Sequence, residues 1–154
     1  MPKLSVWLIR ASLLHLGAGF LFGALVLFQK GYPEIPWAWT LLLPHTEVLV
    51  FGWTLQFIMG VAFYALPRFA VPAPGKYGAV RLGWWSLALI NSGVAITAVG
   101  YVVSAQPVIA AGRLIALVAI VLFVKLMWPR VKPFADGKIE FPVRRPTQGE
   151  TQRE

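Results

Sequence analysis

Four long apolar runs dominate this chain and limit what it can fold into. They cover residues 6–28, 40–66, 82–103 and 107–128. A helix needs about 20 apolar residues to cross the hydrocarbon core of a bilayer, and each run is long enough. Because 58% of the residues are hydrophobic and only 13% are charged, a soluble domain of this size would leave much apolar surface in water. We therefore predict an all-α integral membrane protein, a bundle of four transmembrane helices.

The net charge of +8 is distributed unevenly between the ends of these runs. The two connections after the first and third runs carry one cation, Lys30, which Glu34 offsets. Ten more basic residues lie at the start of the first run, between the second and third runs, or after the fourth. They are Lys3, Arg10, Arg68, Lys76, Arg81, Arg130, Lys132, Lys138, Arg144 and Arg145. Cytoplasmic loops are enriched in Lys and Arg, so we predict that both termini are cytoplasmic, in a multi-pass protein of a prokaryotic inner (plasma) membrane. This pattern favours contact with anionic lipid headgroups, not with nucleic acid.

The composition also divides the chain and removes several kinds of chemistry. We expect one transmembrane domain over residues 1–129 and a basic, mobile cytoplasmic tail over residues 130–154, where charge and proline accumulate. Cysteine is absent, which excludes disulfides and thiolate metal sites. No hydrolase, transferase or nucleotide motif occurs, and no carboxylate pair indicates acid–base catalysis.

Glycines in the first run predict a close approach by another group. Gly19 and Gly23 are spaced as GxxxG, a pattern that lets a second helix pack closely in a membrane. The same space can admit a flat cofactor.

The chain has only two histidines, His15 and His45. Neutral imidazole is a good metal ligand, and an ionisable side chain inside a bilayer is a candidate for function. His45 lies about one turn inside the outer boundary, whereas His15 lies near the middle of the first helix, so the two differ in depth by roughly 15 Å in straight helices. One haem held by both within one subunit is therefore not expected. Each can instead be hydrogen-bonded, His45 to interfacial water or headgroups and His15 to a neighbouring group.

Residues 45–69 carry a distinctive combination of motifs. His45 is followed by Gly52-Trp53, by Met59-Gly60 and by a closing Leu66-Pro67-Arg68. This segment resembles the second transmembrane helix of subunit I of the haem-copper oxidases, in particular the cbb3-type oxidases and the related nitric oxide reductases. The resemblance implies that His45 is an axial ligand of a low-spin b-type haem. We expect Gly52 and Trp53 to pack near the ring.

The rest of the chain departs from that family. An oxidase of this kind needs many more helices and further histidines around copper, and this chain has only His15 to spare. It cannot be a complete oxidase on its own. The simplest second axial ligand is His45 of a second copy, in a homodimer that shares one haem, because a two-fold interface places both imidazoles at equal depth. The alternatives are a five-coordinate haem that binds NO or O2, a ligand from another subunit, and His15.

Arg113 is the remaining candidate site residue, because it lies inside the fourth run at a depth similar to that of His45. A guanidinium in that position snorkels or meets an anion. Glu47 is one candidate partner and a haem propionate is the other, since arginine suits carboxylates in a bidentate geometry.

These observations predict a membrane protein that binds haem b and transfers single electrons in or beside a respiratory complex. Its expected partners are the lipid bilayer and either a second copy or a larger membrane complex. Two alternatives stay open. One is a cofactor-free structural or assembly subunit of a respiratory complex, and the other is a haem-based binder or sensor of NO or O2.

Overall fold

A computed structural model describes residues 1–66 and 78–131 of the chain. Within these ranges the chain forms helices and turns and no β-strand. Four helices are long and apolar enough to cross a bilayer, and we number them α1 (Lys3–Gly31), α2 (Pro36–Ala65), α3 (Val80–Val102) and α4 (Gln106–Arg130). The prediction of an all-helical chain with four such helices is confirmed. Most of the predicted loop between α2 and α3, and the predicted tail from residue 132 onward, lie outside the described residues.

Helix α2 changes its hydrogen-bonding pattern along its length. It begins as a 3₁₀-helix over Pro36–Leu41, becomes α-helical over Leu42–Glu47 and π-helical over Val48–Leu55, and ends as an α-helix over Gln56–Ala65. The helix thus begins at Pro36, about one turn earlier than the predicted start near residue 40. A proline is tolerated in the first turn of a helix, so Pro36 does not prevent this earlier start. Wide turns of the π type inside helices are rare and often lie at functional sites. Here the π-helix begins at Val48, three residues after His45.

Glycines bring the helices together in two pairs, α1 with α2 and α3 with α4. Between α3 and α4, a Cβ atom on Gly93 would lie 2.8 Å from the backbone nitrogen of Ala116, and one on Gly112 would lie 2.6 Å from that of Thr97. Such distances mean that the two backbones are in contact at these glycines.

The two helix pairs contact each other along α2 and α3, and they share a buried apolar cluster at the end of the bundle that holds Lys3. The buried apolar side chains there come from α1, α2 and α4: Leu4, Leu8, Met59, Phe63, Phe123, Leu126 and Met127. Arg130 is also buried at this end and donates hydrogen bonds to the carbonyls of Phe63 at 3.0 Å and Leu66 at 2.7 Å. Because the last carbonyls of a helix lack partners within it, Arg130 of α4 caps the end of α2.

Candidate cofactor site

His45 lies on α2, half-buried against α1. Its Nδ1 atom is 2.7 Å from the carbonyl oxygen of Gly19 on α1. A carbonyl can only accept, so Nδ1 carries the proton and donates it, and Nε2 keeps its lone pair. This hydrogen bond therefore fixes both the ring orientation and the tautomer that can bind a metal.

The two glycines of the GxxxG motif make room for α2. A Cβ atom on Gly23 would lie 2.7 Å from Cε1 of His45 and 3.4 Å from its Nε2 atom, and one on Gly19 would overlap the side chain of Leu49. The motif thus serves close packing of the two helices. One of the side chains that fill the space is the candidate ligand itself.

A groove of about 400 Å³ lies beside the imidazole between α1 and α2. We call it the His45 groove, and its lining consists of Phe20, Gly23, Ala24, Val26, Leu27, Leu42 and His45. His45 is the one member with a polar side chain, and the volume falls within the range of small-molecule sites in proteins.

The Nε2 atom of His45 has no hydrogen-bond partner in the described part of the chain and is not fully enclosed. Across residues 1–66 and 78–131, the buried side-chain nitrogen and oxygen atoms without a hydrogen bond belong to Gln56 and Thr97. Nε2 of His45 has no hydrogen bond within the same ranges and is not among those buried atoms. Its lone pair is therefore unpaired and not fully enclosed, in a residue that lines the groove.

This donor set suits haem better than a bare metal ion. Haem iron is already bound by the nitrogens of its own ring and takes only one or two axial ligands from protein. A bare ion needs several side chains, and the described part of the chain contains no group of three or more His, Cys, Asp or Glu that could hold one. A single imidazole with a fixed tautomer, beside an apolar groove, fits the first case.

The second histidine occupies a separate position in the same helix interface. Nδ1 of His15 donates to the carbonyl of Ala11 in its own helix at 3.0 Å. Its ring lies against Gly52, where a Cβ atom would come within 2.6 Å of Cγ and Cδ2. Since His45 and Gly52 are seven residues apart on α2, the two imidazoles are offset by about 10 Å along the interface. Gly52, which we expected near a haem held by His45, thus contacts His15.

Arg113 and Glu47 lie together on another side of α2. Arg113 donates a hydrogen bond to the hydroxyl of Tyr101, and its guanidinium nitrogen is 3.9 Å from a carboxylate oxygen of Glu47. Residues two apart on a helix point in different directions, so Glu47 and His45 face different grooves. Of the two partners considered for Arg113, the structure shows contact with Glu47. Its role toward a propionate stays a prediction.

These two side chains line a second groove of about 370 Å³, which we call the Glu47–Arg113 groove. Its other lining residues are Phe51, Ala116, Leu117 and Ile120. Trp53, half-buried in the π-helix, lines neither of the two grooves.

Some groups that contact the candidate residues are not predictable from the sequence. The carbonyl of Gly19, which orients His45, is a backbone group and leaves no mark in the residue pattern except the glycine spacing. Nothing in the sequence pattern distinguishes Tyr101 from the other aromatic residues, and its hydroxyl contacts Arg113. The apolar walls of the grooves have no distinguishing signal, because most residues of these helices are apolar.

No protein-family model, no curated protein and no solved structure matches this chain.

Proposed function

We propose that this protein is a membrane protein that binds b-type haem through Nε2 of His45 and takes part in one-electron transfer. The observation that carries the proposal is the 2.7 Å hydrogen bond from Nδ1 of His45 to the carbonyl of Gly19. Metal-bound histidines almost always donate their other ring N–H to a carbonyl or carboxylate, which fixes the ring and raises the basicity of the ligand atom. The likeness of residues 45–69 to an oxidase helix supports the same role.

Each residue around the groove has a defined part in this proposal. His45 binds the iron, the Gly19 carbonyl orients the imidazole, and Gly23 leaves the space that the ring occupies. Phe20, Leu27 and Leu42 keep water away from the cofactor, which is one means by which a protein tunes redox potential. When bound, haem supplies the one-electron chemistry.

A second copy of the chain completes the site in this proposal. The His45 groove is open on one side, and its rim is apolar and exposed, with Phe20 at 67% and Leu27 at 69% exposure. In a bilayer this rim contacts lipid, and a second copy that packs closely against it would replace that lipid through van der Waals contacts. A two-fold arrangement places the second His45 at the same depth. Two imidazoles on one iron make a low-spin centre suited to electron transfer.

The distribution of basic residues supports an orientation with both termini in the cytoplasm. We place both termini in the cytoplasm of a prokaryotic cell, since the ends that carry Lys3, Arg10 and Arg81 are the basic ends of the helices. With that orientation His45 lies toward the outer leaflet.

A cofactor-free structural subunit is the second candidate, and one observation favours it. The bond between His45 and Gly19 also joins α2 to α1 without any cofactor. A hydrogen bond between helices contributes about 1 kcal/mol in a membrane, so it needs no further purpose.

Haem loading separates these candidates. The full-length protein is purified in detergent, supplied with haem b, and its absorption spectrum is recorded in the oxidised and reduced forms. A Soret band with sharp reduced α and β bands that His45→Ala abolishes and His15→Ala retains is the expected result. Protein that stays colourless after loading contradicts the proposal and favours the structural subunit. A spectral shift when CO or NO is added to the reduced form shows an open iron site, and so a gas binder instead of the shared bis-histidine centre.

A further inference from the structure

The Glu47–Arg113 groove has a polar end and an apolar body. Arg113, Ala116, Leu117 and Ile120 follow one face of α4, so the groove extends about 10 Å along that helix. Phe51 of α2 forms part of the opposite wall. Among the described residues that line it, Glu47 and Arg113 are the only two with polar side chains. A ligand that fits has a hydrogen-bonding head and an apolar ring or tail.

Glu47 is an unusual carboxylate, because it is buried and yet accepts no hydrogen bond. Its side chain is only 4% exposed, and the nearest guanidinium nitrogen, on Arg113, is 3.9 Å away, beyond hydrogen-bonding distance. In the described ranges nothing else donates to it. Its oxygen atoms are not among the fully buried unpaired atoms, so they are not completely enclosed, and Glu47 lines the groove. A carboxylate in this condition favours a ligand that donates a proton to it in a hydrogen bond.

Arg113 offers the complementary chemistry beside it. Its side chain is 59% exposed, and one of its nitrogens donates to the Tyr101 hydroxyl. A guanidinium carries five N–H donors, so the others are available for an oxygen of a ligand. The polar end of the groove therefore places a hydrogen-bond acceptor, Glu47, beside a donor, Arg113, and the other lining residues are apolar.

We propose that the Glu47–Arg113 groove binds the ring of a membrane hydroquinone (a quinol). Glu47 accepts a hydrogen bond from a ring hydroxyl, Arg113 donates to an oxygen of the same ring, and Phe51, Leu117 and Ile120 contact the ring and its tail. An anionic phospholipid headgroup suits Arg113, but the neighbouring Glu47 carboxylate repels it. This proposal does not depend on haem at His45, because the two grooves have separate linings.

Binding is measured with the full-length protein in detergent and a short-chain alkyl hydroquinone, in both wild type and His45→Ala. Glu47→Leu and Arg113→Leu are expected to weaken binding about tenfold or more, the usual effect of losing a charge-assisted hydrogen bond. Glu34→Leu and Arg81→Leu are matched controls at exposed positions outside the groove, and both retain wild-type affinity.

Changes in the ligand test the direction of each hydrogen bond. The dimethyl ether of the same hydroquinone has no O–H, so it is expected to bind wild type about as weakly as the hydroquinone binds Glu47→Leu. The oxidised quinone also lacks the donor, and Glu47→Gln, whose amide can donate, is expected to improve quinone binding while weakening hydroquinone binding. A purely structural role for Glu47 predicts no such reversal.

Three outcomes overturn the proposal. One is a wild-type protein that does not bind the hydroquinone. Another is equal affinity for the hydroquinone and its dimethyl ether. The third is displacement of the hydroquinone by phosphatidylethanolamine at comparable concentration, which identifies a zwitterionic lipid as the occupant. If the wild-type protein binds haem through His45 but does not bind the hydroquinone, the hydroquinone proposal fails while the haem proposal stands.

Discussion

The imidazole of His45 lies directly against Gly23 of the facing helix, where an added Cβ atom would come within 2.7 Å of its Cε1 atom. Ring and backbone are in contact there, and the carbonyl of Gly19, one turn away on the same helix, accepts a hydrogen bond from Nδ1. The imidazole therefore has little freedom to turn, and a single methyl group on α1 tests its role.

Gly23→Ala is expected to displace the His45 ring and lower haem occupancy by about tenfold or more, because axial ligation depends on ring orientation. The measurement is the reduced absorption spectrum after haem loading. Gly17→Ala is the matched control, since a Cβ atom at Gly17 meets nothing within 4 Å. Equal occupancy in the two variants contradicts the position that we assign to the cofactor.

Gly52→Ala applies the same change to the other histidine, because a Cβ atom there would lie 2.6 Å from the His15 ring. We expect a loss of stability of about 1–3 kcal/mol from overpacking, with the haem spectrum retained in the folded fraction. A denaturation series in detergent gives the first quantity and the spectrum gives the second. A spectrum that changes as much as in Gly23→Ala identifies His15 as a ligand.

Gln56→Leu is expected to raise the free energy of unfolding, by about 1 kcal/mol or more. The Gln56 side chain is fully buried on α2, and neither its nitrogen nor its oxygen has a hydrogen bond in the described part of the chain. Gln29→Leu is the control, and it is expected to lower the free energy of unfolding. The oxygen of Gln29 accepts a 2.6 Å hydrogen bond from the backbone nitrogen of Ile35, so that variant loses a partner and becomes less stable. Destabilisation by both changes shows that the Gln56 amide has a partner in the membrane.

Arg130→Met is expected to lower the free energy of unfolding by about 3 kcal/mol, because the Phe63 and Leu66 carbonyls at the end of α2 lose a charged donor. Arg81→Met, at an exposed position on α3, is expected to change stability by less than about 0.5 kcal/mol. Similar effects of the two substitutions contradict the capping role.

The orientation of the chain is testable because it has no native cysteine. Single cysteines replace Glu34, in the turn between α1 and α2, and Lys3, at the start of α1. A membrane-impermeant maleimide applied to intact cells is expected to label the first and not the second, since basic ends face the cytoplasm. The reverse pattern places the termini outside.

The sequence was sufficient to predict the four helices, because hydropathy and length are local properties of each run. The pairing of helices was less accessible. Glycines at 19, 23, 52 and 60 indicate close contacts, but no residue pattern states that Gly52 meets His15 and Gly23 meets His45. That register depends on both helices at once, and on the π-helix over Val48–Leu55.

The candidate site was accessible only in part for the same reason. The two histidines are easily recognised as candidates in an apolar chain. Arg113 and Glu47 are recognised as a candidate pair because they carry opposite charges at similar depth. The Gly19 carbonyl, the Tyr101 hydroxyl and the unpaired Gln56 amide become significant only through their tertiary neighbours.

The most direct test of ligation by His45 is rescue of His45→Gly with free imidazole. The variant opens space for an added imidazole beside Gly19 and Gly23. Haem-loaded His45→Gly is expected to lack the low-spin reduced bands and to regain them when imidazole is added, while His15→Gly shows those bands without it. Low-spin bands in His45→Gly before any imidazole is added, identical to those of wild type, would contradict the account.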